Sequence, residues 1–207
     1  MCLTADGQIA IRHNWDNSVY ENAVYKEGNI PDFEEYYHTP VCYKYQAMSF
    51  DDVLDMLRDH SDIYVMTDCN ITQMAQKIVD AAVSYGMPEL LDRFIIQIYD
   101  ESDYDRVKEI YPFEHFVFTL YLLEDPDYVS VVAFCLEKGI PVVTVSADRF
   151  AADDGIEIMQ EYGITVLVHT VNTITQARTL FQEGVGGIYT DFLLPADMKY
   201  IFGEEFK

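Results

Sequence analysis

Short apolar runs alternate with amphipathic stretches along most of this chain, and that alternation limits its folds more than any other feature. The runs are IAIRH (9–13), DIYVMTD (62–68), RFIIQIY (93–99), HFVFTLY (115–121), PVVTVS (141–146), ITVLVHT (164–170) and GIYTD (187–191). Each is rich in β-branched or aromatic residues and has the length of a strand. Between them lie helix candidates at 49–60, 71–86, 101–111, 125–139, around 149–162, and 174–184. Ser49 followed three residues later by Asp52 has the form of a capping box. Gly86, Gly139, Gly163 and Gly184 stand where helices should stop, in positions that favour a left-handed cap.

Repeated strand–helix units require a parallel sheet covered by helices. A closed barrel of eight such units takes ~250 residues. With 207 residues this chain is about one unit short. The expected fold is therefore α/β, a TIM (β/α)8-type barrel lacking its first βα unit, with about seven parallel strands and helices outside. One partial domain over 1–207 is expected. The region 14–48, rich in Tyr, Asn and acids without a clear period, reads as a loop insertion over the barrel mouth. A doubly wound α/β binding protein is a different possibility, but no G-x-G-x-x-G or phosphate-binding loop is present.

Charge narrows the partners. The formal net charge is -23, which argues against nucleic acid and anionic membranes, since both need clustered Lys and Arg. Half the residues are hydrophobic, so the chain can bury a core. No apolar run reaches the ~20 residues of a membrane-spanning helix. The opening MCLTADGQ has neither the basic nor the apolar region of a signal peptide. The chain as given reads as cytoplasmic, with an upstream signal or membrane segment left open. Cys2, Cys42, Cys69 and Cys135 form no metal-ligand or redox spacing. They fit a reducing compartment, with Cys135 in the core.

In a barrel of this kind, chemistry sits at the C-terminal ends of strands. Those ends here read His13-Asn14-Trp15-Asp16, Thr67-Asp68-Cys69-Asn70, Gln97 with Tyr99, Thr119 with Tyr121, Thr144 with Ser146, His169-Thr170-Val171-Asn172, and Thr190-Asp191. His13 suits general acid–base work near neutral pH. Asp68 suits either a cap for the helix near Ile71 or one carboxylate of a hard-cation site. His60 reads as a helix C-terminal residue, and His115 lies before its strand, at the opposite rim.

Three segments carry a resemblance. LTADGQIAIRHNWD (3–16) resembles the glycerophosphodiester phosphodiesterase pattern L-T-x-D-G-x-x-V-x-x-H-D. SFDDVLDMLRDHSDIYVMTD (49–68) resembles that family's approach to its third strand. VLVHTVNTITQARTLFQEGVGGIYTDF (166–192) resembles its last two strands. The likeness runs in register along essentially the whole chain. It implies a relative of the phosphatidylinositol-specific phospholipases C: a lipid-metabolism hydrolase that splits a phosphodiester into glycerol phosphate and an alcohol, using a divalent cation (Ca²⁺ or Mg²⁺). By position it makes His13 the proton donor to the leaving alkoxide and Asp68 a metal ligand. Asn70, Gln97, His169 and Asn172 become substrate contacts, and the partner is a small phosphodiester.

The departures are also in the sequence. The family's H-R-G motif is absent, and its E-x-D pair would fall before Met1, so an N-terminally truncated member is expected. Asn14 stands for the aspartate after the histidine, with Asp16 nearby, and Asn70 stands for a lysine. The reading is a metal-dependent phosphodiesterase impaired in the chain as given. The alternative is a non-catalytic, degenerate barrel that binds a ligand or protein.

Overall fold

The computed structural model describes residues 1–15, 29–152 and 156–202. Six parallel strands form one sheet: β3 (Val65–Met66), β4 (Phe94–Ile98), β5 (His115–Thr119), β6 (Val142–Ser146), β7 (Thr165–His169) and β8 (Gly187–Ile188). Helices separate them: α3 (Ile71–Tyr85), α4 (Glu101–Ile110), α5 (Tyr128–Lys138), the pair α6 (Ala147–Ala152) and α7 (Ile156–Glu161), and α8 (Ile174–Gln182). The strands lie in sequence order, with no reversal. A doubly wound sheet reverses its order and places helices on both faces. Steady right-handed crossovers keep the helices on one face, which is the TIM-type succession. The fold class expected from the sequence is therefore the observed one.

One strand differs from expectation. The run IAIRH contributes only β2 (Ile9–Ala10), which pairs antiparallel with β1 (Cys2–Leu3) outside the parallel sheet. Asp6-Gly7 is the cause, since Asp-Gly between short apolar runs is a strong hairpin signal. Gly7 takes φ 80°, its N–H donates to the Thr4 carbonyl (2.9 Å), and the Thr4 N–H donates to the Gln8 carbonyl (3.0 Å). The parallel strands thus number six rather than about seven.

Local signals place the helices. In α2 (Phe50–Asp59) the Ser49 hydroxyl accepts from the Asp52 N–H and the Asp52 carboxylate accepts from the Ser49 N–H, completing the box. Helix α3 ends on Gly86 and α5 on Gly139, both left-handed (φ 89° and 69°), so Ala there would strain the backbone. The broad helix around 149–162 is two short helices, with residues 153–155 outside the described set. Helix α1 (Phe33–His38) lies within 14–48, where no helix is expected. Its Tyr36 joins Ala10 and Ala47 in a small core flanked by Trp15, Phe33, Tyr37 and Val41. The rest of that segment, 16–28 with Asp16, lies outside the described residues. The short helix α9 (Met198–Phe202) follows β8. Among the described residues no helix is long and apolar enough to cross a membrane.

The chain divides into two compact units: Met1–Gln97 with Ser102–His115, and Ile98–Glu101 with Phe116–Lys207. In the first, the ring of Phe94 meets Phe50 of α2 (5.9 Å), so Phe94 and Ile96 face the helices. By strand alternation Ile95 and Gln97 face the other way. In the second, Phe118 of β5 meets Phe134 of α5 (5.3 Å), and its register partner Val143 is buried on the same face. Thr119, Thr144, Ser146, Leu167 and His169 therefore lie on the face away from the helices, with Thr119, Ser146 and His169 at the C-terminal ends of their strands, where a TIM-type fold keeps its chemistry.

Candidate functional site

Strand β3 stops short of its apolar run because Thr67 ends the ladder. The Thr67 N–H still donates to the Ile95 carbonyl (2.9 Å), but the next donor, the Gln97 N–H, goes to the Thr67 hydroxyl (2.9 Å). A side-chain oxygen has replaced the backbone carbonyl, so the chain leaves the sheet and delivers Asp68 to the rim.

His13 reaches the same place from the hairpin. The buried Tyr36 hydroxyl accepts from the Ile11 N–H (3.1 Å) and lies 3.2 and 3.0 Å from the Ile11 and Met48 carbonyls. Beyond that clasp, residues 12–15 fold back on β1. The Trp15 indole N–H donates to the Leu3 carbonyl (2.9 Å), and the Arg12 guanidinium lies over the Trp15 ring at 4.9 Å. The Cys2 thiol sits 3.2 Å from the His13 carbonyl. The result is His13 Nε2 at 3.9 Å from Asp68 Oδ2, with the side chains 73% and 56% exposed. That is ion-pair range but too long for a hydrogen bond.

Asn14 decides which imidazole nitrogen faces Asp68. Its amide nitrogen lies 3.0 Å from His13 Nδ1. An amide nitrogen only donates, so Nδ1 accepts and the neutral ring carries its proton on Nε2. A charged imidazolium would meet the amide donor to donor unless the amide turned over. An aspartate at this position would instead hold the charged ring.

The thiol beside the pair is not a nucleophile. Burial pushes Cys69 up to about 11, against the pull of the Met1 ammonium and with Asp68 and Cys2 adding to the rise, so it stays protonated at neutral pH. Asn70, not Asp68, is the N-cap residue of α3, and its Oδ1 accepts from the Thr72 hydroxyl (2.9 Å). Gln97 is buried at the end of β4. A divalent cation needs several oxygens around it. Among the described residues no three His, Cys, Asp or Glu side chains gather to hold one. The set around Asp68 therefore does not fit a Ca²⁺ or Mg²⁺ site, and no step is assigned to such an ion.

The second unit holds the other two sequence candidates. His169 ends β7 between the rings of Tyr121 (6.0 Å) and Tyr189 (5.9 Å). The Asn172 amide nitrogen donates to the Asp191 carboxylate (2.9 Å). Its oxygen accepts from the Asp191 N–H (2.8 Å) and the Thr190 hydroxyl (3.2 Å). This side chain fastens the loop after β7 to the end of β8.

So the structure brings His13 and Asp68 together, with Asn70 two residues on, while His169 and Asn172 belong to a separate cluster with Tyr189 and Asp191. Sequence reading misses the roles of Arg12, Tyr36 and Tyr189. Arg12 carries a visible signal, being a cation beside the candidate histidine. Tyr36 carries none, because its clasp is formed by chain closure.

No family model and no curated protein sequence matches this chain. Solved structures do. A glycerophosphodiester phosphodiesterase from Parabacteroides distasonis is 15% identical, with a TM-score of 0.68 over 97% of this chain and 80% of that one. One from Thermotoga maritima is 14% identical, with a TM-score of 0.66 over 92% and 78%. An Oleispira antarctica phosphodiesterase, solved with its product sn-glycerol-3-phosphate, is 14% identical, with a TM-score of 0.68 over 96% and 81%. At these identities the likeness is one of fold.

Proposed function

We propose that this chain is a phosphodiester hydrolase of the glycerophosphodiester phosphodiesterase kind, weakly active with the side chains it carries at this site. The observation that carries the reading is the approach of His13 to Asp68 at the end of β3, in a fold shared with solved phosphodiesterases. Cleavage of a phosphodiester leaves an alkoxide that needs a proton. Protonated His13 would supply it from its exposed Nε2 and return to the neutral ring, and Asp68 orients that ring. The substrate class is a glycerophosphodiester, in keeping with the glycerol phosphate product of the Oleispira enzyme. Asn70 and Gln97, in the same unit as His13 and Asp68, are assigned to substrate contact. The Ca²⁺ or Mg²⁺ that the resemblance implies is left out of this reading, because among the described residues no set around Asp68 gathers to hold one.

Low activity follows from the side chains present. One histidine cannot easily serve both proton transfers, and Asn14 brings a neutral amide to His13 where the resemblance has a carboxylate. A second reading, a non-catalytic barrel that binds a ligand or protein, draws on the same amides, Asn14 and Asn70. The deciding experiment is hydrolysis of glycerophosphocholine with Ca²⁺, with Mg²⁺ and with chelator. Slow turnover should fall about 100-fold in His13→Ala and rise in Asn14→Asp. Glycerophosphocholine that binds but is never cleaved, even by Asn14→Asp, would establish the binding module instead.

A further inference from the structure

We infer that a cleft at the turn end of the β1–β2 hairpin binds a small organic cation, at a place separate from the His13–Asp68 strand end and independently of the phosphodiesterase reading. The cleft has a volume of about 610 Å³ and lies wholly within the first unit. That is the size of a small-molecule site. Buried Ile9 and Phe50 contribute to its lining. One wall is aromatic: Phe33 and Tyr37, a turn apart on α1, stack at 5.6 Å and 14°. Helix α1, in the stretch read from the sequence as a loop insertion, thus supplies this wall.

The charges in the cleft are unequal. Asp51, Asp52 and Asp80 line it against one cation, Lys77. That cation is already engaged, its ammonium donating to the Gly7 carbonyl at 3.0 Å. Burial alone would push the Asp52 carboxyl up. The Ser49 hydroxyl and N–H and the Tyr37 hydroxyl outweigh burial and hold it below the ordinary value, so it stays charged at neutral pH. The cleft therefore keeps an excess of negative charge beside aromatic rings.

Few ligand classes satisfy both halves of that lining. A bare metal ion needs oxygens on every side, and here much of the surroundings is hydrocarbon. An anion meets repulsion, and a neutral apolar molecule gains nothing from the charge of the carboxylates. An alkylated ammonium is suited by both the aromatic rings and the carboxylates of the lining. The overall charge of -23 adds long-range attraction for such a ligand.

The test is an NMR titration of the full chain with benzyltrimethylammonium, and with dimethylbenzylcarbinol as a neutral molecule of similar shape. Saturable shifts are expected at Gly7, Phe33 and Tyr37, with the carbinol at least ~10-fold weaker. The double variant Asp51→Asn/Asp80→Asn alters two exposed carboxylates and should lose most of that preference for charge, its spectrum elsewhere reporting an intact fold. Tyr37→Leu keeps the charges and should weaken binding about fivefold. Equal affinity for the carbinol, an unchanged Asp51→Asn/Asp80→Asn variant, or shifts spread over the whole acidic surface and removed by salt would each overturn the inference.

Discussion

Two strand-end histidines share a motif-level resemblance, yet their surroundings are opposite. His13 is largely exposed, and its ring has Asn14 beside one nitrogen and Asp68 at 3.9 Å from the other. His169 is enclosed between two tyrosine rings, and Asn172 three residues on is wired to Asp191 and Thr190 by three hydrogen bonds. A polar residue whose hydrogen bonds are all spent inside the fold holds geometry. One whose polar atoms meet solvent is available for chemistry. The resemblance assigns both regions to one activity, whereas the contacts divide them into scaffold and reagent.

That division can be broken by mutation. Asn172→Ala strips three bonds and leaves the Asp191 N–H without its acceptor, so it should cost about 2 kcal/mol, read as a lowered denaturation midpoint. Asp191→Ala removes one charge-assisted bond and should cost about 1 kcal/mol. Asp68→Asn and His13→Gln should each stay within about 0.5 kcal/mol of the parent, because exposed ion pairs contribute little. If His13→Gln proved as damaging as Asn172→Ala, the distinction would collapse and His13 would be scaffold too.

Acid offers a gentler probe of the first region. The Asp6 carboxylate takes hydrogen bonds from the Thr4 hydroxyl (2.6 Å), the Phe33 N–H (3.0 Å) and the Gln8 amide (3.3 Å), tying the hairpin to α1. The Thr4 bond is the largest influence, and together these hold the Asp6 carboxyl below its usual value of 3.8 despite slight desolvation. The group whose folded value is depressed stabilises the fold above its unfolded value, and that contribution is lost as pH falls through the folded one. Protection of the Phe33 amide, taken relative to its intrinsic exchange rate, should therefore fall as pH drops below 3.8, and Asp6→Asn should abolish that added acid sensitivity.

Much of the architecture was legible because its signals are local. Alternating runs, the Ser49–Asp52 box and the capping glycines each act within a few residues, and each appears in the fold where the sequence places it. The hairpin was misread by weighing the apolar run IAIRH above Asp6-Gly7, although the turn is the stronger short-range signal. Helix α1 was illegible for a different reason. Its six residues follow no long period, and its burial depends on Ala10 and Ala47, which are distant in sequence. At the candidate site, strand-end logic plus resemblance singled out His13 and Asp68 one by one, but not their approach to 3.9 Å, which the hairpin brings about. The tie from Asn172 to Asp191 and Thr190 was not legible either, because residue type cannot say whether an amide spends its bonds on the protein or on a ligand.

The unreversed strand order has a kinetic consequence. Each parallel strand settles beside its predecessor, so no strand must be threaded between two already placed. Contacts between successive strands span only one helical crossover, which keeps loop-closure costs modest for a parallel sheet. A chain leaving the ribosome could add strands one at a time to a growing edge, each helix covering its new neighbour before the next strand arrives.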